Sequence, residues 1–187
     1  MKRVFVIVMA VLLGATMFAL AGCGSGNAAT AKQYMIAADA AFAPVNQQLT
    51  TLQDASTQLI TAFMSGKAST VSPEQITQTA EQMGKLLAEV DAVKAEYEKI
   101  ISLSGVEDYV TYAAAMQKAI DADKAVIAAG GDLLKKLVPA IQAGDVNALN
   151  AVVQENMAEI TKIQTMVSNA EKALQQARQI KTSKKLE

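Results

Sequence analysis

The sequence predicts an all-α protein: an antiparallel up-down-up-down four-helix bundle with long helices. Three observations carry this. Apolar residues recur in alternating steps of three and four over four long stretches, the 3.5-residue period of helices packed side by side. Alanine, leucine, glutamine and lysine are abundant and there are only three prolines, a composition that favours helix. The stretches are joined by short links, and short links make successive helices antiparallel neighbours. A flat pair of coiled-coil hairpins has the same period. Second apolar residues beside the seam, such as Leu87, Val126, Leu133, Val152 and Met166, widen the stripe and favour the globular bundle.

The first helix is expected from Thr30 to Met64, on a seam of Met35, Ala38, Phe42, Val45, Leu49, Leu52, Ser56, Leu59 and Phe63. Pro44 lies off this seam, and the phase continues across it, so a kink is expected there and not a break. Gly66 suits a helix end, and Ser65–Ser72 reads as a loop. Ser72-Pro73-Glu74-Gln75 then has the form of a capped helix start, with Ser72 as N-cap, Pro73 at the first position and Gln75 closing a capping box. The second seam is Ile76, Thr79, Met83, Leu86, Val90, Val93, Tyr97 and Ile100.

Ser104-Gly105-Val106-Glu107 reads as another capping box, with Ser104 as N-cap and Glu107 three residues on. The third seam runs from Val106 and Tyr109 through Ala113, Met116, Ile120, Asp123, Ile127 and Gly130 to Leu134, Leu137 and Ile141. It passes Gly130-Gly131 in phase, so one helix with a weak point is expected there. Pro139 should bend its last turn. Gly144 makes the final turn and Asp145 caps the fourth helix. The fourth seam is Val146, Leu149, Val153, Asn156, Ile160, Ile163, Val167, Ala170, Leu174 and Ala177. Residues 30–182 thus form one bundle, and 183–187 form a basic tail expected to fray.

Composition narrows the chemistry. The chain has no histidine and one cysteine, so it holds no histidine-dependent triad, no Cys-x-x-Cys-His haem motif and no internal disulfide. A net charge of −1, with no basic cluster interleaved with aromatics, gives no footprint for nucleic acid. No glycine-rich phosphate loop is present. Glu155 and Glu159 stand one turn apart, as on a solvated helix face. No metal ligand set and no cofactor are expected.

Folding the seams together gathers two groups. Ser56, Met83, Asp123 and Ile163 fall in about one layer, with Thr79 and Asn156 close by. Ser56, Thr79, Asp123 and Asn156 form either a polar layer that fixes register or the wall of a polar cavity. If Asp123 is buried, its carboxyl is expected either to shift its pKa upward or to find a hydrogen bond, for example to Ser56. Phe42, Tyr97 and Tyr109 share another layer, with Tyr112 near and Ala170, Ala173 and Ala177 facing it. That is either jigsaw packing or an aromatic-lined pocket.

Ahead of the bundle, Lys2 and Arg3 precede an apolar run from Val4 to Leu20, which ends in Leu20-Ala21-Gly22-Cys23. The run is short for a membrane-spanning helix and carries Gly14 and Thr16. A plain secretory signal would also end in small residues, but the sole cysteine stands at Cys23. The stretch resembles the signal peptide and lipobox of a bacterial lipoprotein: aliphatic, small, small, cysteine. The resemblance implies that residues 1–22 are a cleaved signal peptide. It implies that Cys23 carries a thioether-linked diacylglycerol together with acyl lipid such as palmitate. The protein would then be anchored on the extracytoplasmic face of a bacterial membrane. Gly24 follows the cysteine and no aspartate does, which resembles outer-membrane sorting in a two-membrane cell. Residues 23–29 read as a lipidated, flexible tether.

Two functional expectations follow. One is a non-enzymatic interaction or scaffold module, presenting helix faces to an envelope protein or cell-wall polymer. The alternative is a ligand-binding bundle working with a membrane partner, since bundles of this size resemble the extracytoplasmic sensor domains of bacterial receptors at the level of fold. The tail carrying Arg178, Lys181, Lys184 and Lys185 is expected to touch lipid headgroups, or its cations to serve the helix macrodipole.

Overall fold

The computed structural model describes residues 25–64, 72–143 and 146–186. The expected signal peptide, Cys23, most of the expected loop Ser65–Ser72 and the expected cap at Gly144-Asp145 lie outside the described residues. So do the side chains of Leu59, Phe63, Gln75, Ile141 and Val146. The rest is an all-α fold of five described helices packed as a bundle: α1 (Ser25–Met64), α2 (Pro73–Ile101), α3 (Glu107–Gln142), α4 (Val146–Glu155) and α5 (Met157–Ser183). Helix α3 packs against α2, α4 and α5, while α1 packs chiefly on α2.

The seams read from the sequence form the core. In α1, Met35, Ala38, Phe42, Val45, Leu49 and Leu52 are buried, and Ala31 extends the seam one step back. Every α2 seam residue from Ile76 to Ile100 is buried, Thr79 included. Helix α1 continues through Pro44 and α3 through Pro139. Helix α3 also continues through the glycine pair. A Cβ built on Gly130 would stand 3.3 Å from Met83 Cε, so the missing side chain there is the space Met83 fills.

Three expectations are corrected. First, α1 begins at Ser25, so Ser25–Ala29 are helical and not a loose tether. The Asn27 side-chain amide donates to the Ser104 carbonyl (3.0 Å), which ties this turn to the link between α2 and α3. Second, α3 begins at Glu107 and not after Ser104. Gly105 has φ +73°, a left-handed conformation that cannot be the first residue of a right-handed helix. The Val106 carbonyl instead accepts the first helical bond, from Val110 N–H (3.0 Å), and Glu107 and Asp108 place negative charge in the first turn.

Third, the fourth predicted helix is two, α4 and α5, parted at Asn156. The Asn156 backbone N–H is shared between the Val152 and Val153 carbonyls (3.1 and 3.2 Å). Its side-chain amide also donates to Val152 O (2.8 Å). A side chain competing for a helix carbonyl tightens the local turn. The Ile160 N–H still reaches Asn156 O (2.9 Å), so the hydrogen-bond ladder resumes at once.

Residues 183–186 of the expected basic tail form a turn, and Glu187 lies outside the described residues. Leu186 N–H bonds Lys181 O (3.0 Å) and Lys185 N–H bonds Thr182 O (3.1 Å), the paired bonds of a Schellman turn. Lys185 takes the left-handed position at φ 54°, and Leu186 is buried against the core. A lysine is held there at a conformational cost that glycine would not bear. Lys185→Gly should therefore raise stability by about 0.5–1 kcal/mol. Urea unfolding of the two proteins side by side measures it, and equal midpoints would mean the turn is not held in solution.

Candidate functional site

The most connected polar cluster centres on Asp39 of α1. Its Oδ1 accepts from the Tyr97 hydroxyl of α2 (2.6 Å) and from the Tyr112 hydroxyl of α3 (2.7 Å). Its Oδ2 accepts from Lys181 Nζ of α5 (2.6 Å). One carboxylate thus ties four helices. The Tyr97 and Tyr112 rings meet edge to face, 6.1 Å apart at 76°, and Lys181 Nζ lies 5.7 Å from the Tyr112 ring centre. Both phenols are buried, and burial, reinforced by the Asp39 charge, pushes both hydroxyls up and holds them as donors.

Local sequence explains the geometry. Tyr97 is a seam residue of α2 and so points inward. Tyr112 is next to the seam residue Ala113, whose small side chain leaves room for the ring. Asp39 flanks Ala38 on the edge of the α1 seam, where a carboxylate reaches both the core and water. Lys181 stands four residues beyond Ala177, one more step along the α5 seam. Of the four residues expected in the aromatic group, the structure brings Tyr97 and Tyr112 together on Asp39. Phe42 is buried in the core cluster and Tyr109 is half-buried against it. Asp39 and Lys181 were not expected. Extending the α5 seam one step would have found Lys181, and the lone carboxylate between Ala38 and Ala40 marked Asp39. Lys184 is engaged too, with Asp108 (2.9 Å).

The expected polar layer is not one layer. Lys136 Nζ bonds Asn156 Oδ1 (3.2 Å) and pairs with Glu159. Asp123 lies more than three turns from Lys136 on the same helix, about 20 Å at 1.5 Å per residue. Asn156 and Asp123 are therefore far apart. Met83 sits at Gly130, two turns from Asp123. Ser56 Oγ is buried with no hydrogen-bond partner, so the expected bond from Ser56 to Asp123 is not made. Thr79 is buried on α2. The layer failed because the connecting loops set the register, and layers counted from presumed turns drift.

Asp123 is 7 % exposed and makes no hydrogen bond among the described residues. Burial, with a smaller contribution from the Glu171 charge, pushes its carboxyl up to about 6. A shallow groove between α2 and α3 is lined by Asp91, Lys94, Glu98, Lys99 and Gln117, and is bridged by Lys94–Asp121 and Lys124–Asp91 ion pairs. Among the described residues, no group of three carboxylates or thiols is placed to hold a metal ion, and no helix is long and apolar enough to cross a membrane.

No protein-family model matches the chain, and neither a curated protein nor a solved structure matches it.

Two measurements test this geometry. Asp39→Ala strands two buried phenols and the Lys181 ammonium, and should cost about 3 kcal/mol in urea unfolding. Lys181→Met removes only the half-exposed partner and should cost less than about 1 kcal/mol. Equal losses would mean that Asp39 does not centre the cluster. For Asp123, the folded-state value lies above the unfolded one, so the native protein binds the proton more tightly. Its stability contribution is greatest below pH 4 and falls as pH rises through about 6. Asp123→Asn should flatten that slope and stabilise the protein at pH 8 by on the order of 1–2 kcal/mol. An unchanged slope would place the titration elsewhere.

Proposed function

We propose that this is a bacterial lipoprotein whose helical bundle works as a non-enzymatic interaction or scaffold module of the cell envelope, anchored through lipid on Cys23. The observation that carries the reading is Leu20-Ala21-Gly22-Cys23 after a basic start and an apolar run. Helix α1 beginning at Ser25 supports it, because a rigid helix then follows directly behind the anchor. The lipid would hold the bundle at the extracytoplasmic face of the membrane, the outer membrane in a two-membrane cell, with an envelope protein or cell-wall polymer as partner. The scaffold reading is supported by the inward use of the strongest polar groups: Asp39, Tyr97, Tyr112 and Lys181 spend their bonding capacity on one another.

The helices in this reading run up-down-up-down, with α4 and α5 together as the fourth arm. Support comes from contacts at one end, where Asn27 meets Ser104 and Asp108 meets Lys184. The crossed pairs Lys94–Asp121 and Lys124–Asp91 favour antiparallel α2 and α3 in the same way. A second reading, a ligand-binding bundle coupled to a membrane partner, draws on Asp123, a buried carboxylate that lacks a hydrogen bond.

Cys23→Ala should release the protein from membranes or leave it unprocessed. Fractionation and the intact mass of the mature chain measure this. A variant that stays membrane-bound with an unchanged mass would remove the anchor assignment.

A further inference from the structure

We propose that the outer face of α1 is a self-association surface, on which two copies of the chain pair antiparallel about Ala43. Helix α1 carries only three charged residues in its 40: Lys32, Asp39 and Asp54. Asp39 is turned into the bundle. Lys32 and Asp54 are exposed, and neither has an ion pair or side-chain hydrogen bond within the described chain.

The outer face has a seam of its own. Lys32, Ile36 and Ala40 on one side of Ala43 and Gln47, Thr50 and Asp54 on the other stand three or four residues apart along the helix, and all are exposed. They line one stripe of the helix on the side away from the core. Ile36 on this seam is 53 % exposed, the one large apolar side chain so exposed among the described residues.

Charge selects the partner. Lys32 and Asp54 stand at equal distances before and after Ala43. An antiparallel pair with its two-fold axis at Ala43 sets Lys32 of each copy against Asp54 of the other, twice. The same operation sets Ile36 against Thr50 and Ala43 against itself. The Thr50 hydroxyl already donates to Asn46 O (3.0 Å), so its methyl can cover Ile36 without leaving a donor unpaired. A parallel pair would set Lys32 on Lys32 and Asp54 on Asp54. Ala40 and Ala43 let the helices approach closely at the centre.

The seam is about 33 Å long between Lys32 and Asp54 at 1.5 Å per residue, and flanking residues widen it. That gives an interface at the low end of the stable range, a weak dimer. In such a pair the two Ser25 ends point in opposite directions. Two anchored copies would share one membrane only with α1 lying along its surface. The pairing does not depend on the anchor, and its test does not use it.

The experiment uses the purified full chain in detergent under mild oxidation. Cross-linked peptides are mapped by mass spectrometry, so that any link through Cys23 is read separately. Ala43→Cys should give a disulfide-linked dimer through position 43. A mixture of Ile36→Cys and Thr50→Cys chains should link to each other, while Ile36→Cys alone should not link to itself. Lys32→Glu in the Ala43→Cys chain should weaken dimer formation about tenfold, and adding Asp54→Lys should restore it. Restoration by the charge swap is the outcome specific to the reciprocal antiparallel pair. The proposal is overturned if Ala43→Cys gives no dimer, if Ile36→Cys links to itself, if the swap does not restore dimer, or if position 43 is captured only by a different protein.

Discussion

The bundle depends on one carboxylate. Asp39 accepts three hydrogen bonds from three helices other than its own, and two of the donors are phenols with almost no contact with water. A buried phenol must find an acceptor or lose the free energy of its bond to water. Tyr97 and Tyr112 share the same oxygen, so their rings are fixed relative to each other, which sets the edge-to-face contact between α2 and α3. Lys181 neutralises the charge from the α5 side and keeps partial contact with water, so the ion is not stranded in a dry interior. Helix α1 otherwise packs chiefly on α2, and α5 on α3. The clasp is a direct side-chain link between these two pairs.

Asp123 shows what the same side chain does without such partners. It occupies a seam position of α3, buried, with the Glu171 charge adding to the effect of burial and no hydrogen bond among the described residues. The two aspartates differ in the helices that face them. Around Asp39 the facing positions are tyrosine, tyrosine and lysine, each a donor. The α2 seam residues Val90 and Val93 and the α5 seam residue Ala170 offer no side-chain donor at all. A carboxylate edged by donors organises a fold; one on an apolar seam weakens it unless protonated.

The helices were legible in the sequence because burial at steps of three and four is a local property, counted along one chain. Every α2 seam residue named from the sequence is buried, and the glycine pair and both prolines inside helices were passed in phase. What was not legible lay where two helices meet or a helix ends. The phase of one seam against another depends on loop geometry, so Asp123 and Asn156 were assigned to one region and lie far apart. A capping pattern looks the same whichever sign φ takes, so the left-handed Gly105 is not legible from it. Asn156 was read as a polar seam residue, yet its short amide competes for a carbonyl in its own helix. The clasp was half legible: the tyrosines lie in or beside the seams, while Asp39 flanks its own and acquires meaning from three other helices.

The surface of α1 follows from the same division of labour. A helix that gives one of its three charges to the interior keeps few for water. Solubility then rests on hydroxyls and amides. The hydroxyls of Thr50, Thr51, Thr57 and Thr61 each donate to a carbonyl four residues back and so have their donors satisfied within the helix. Helix α2, in contrast, meets water and its neighbour with ion pairs: Lys94 to Asp121 and Asp91 to Lys124. A face built of small residues and self-satisfied hydroxyls costs little to desolvate, whereas a face of paired ions costs more. By this measure the outer face of α1 is less costly to cover than that of α2.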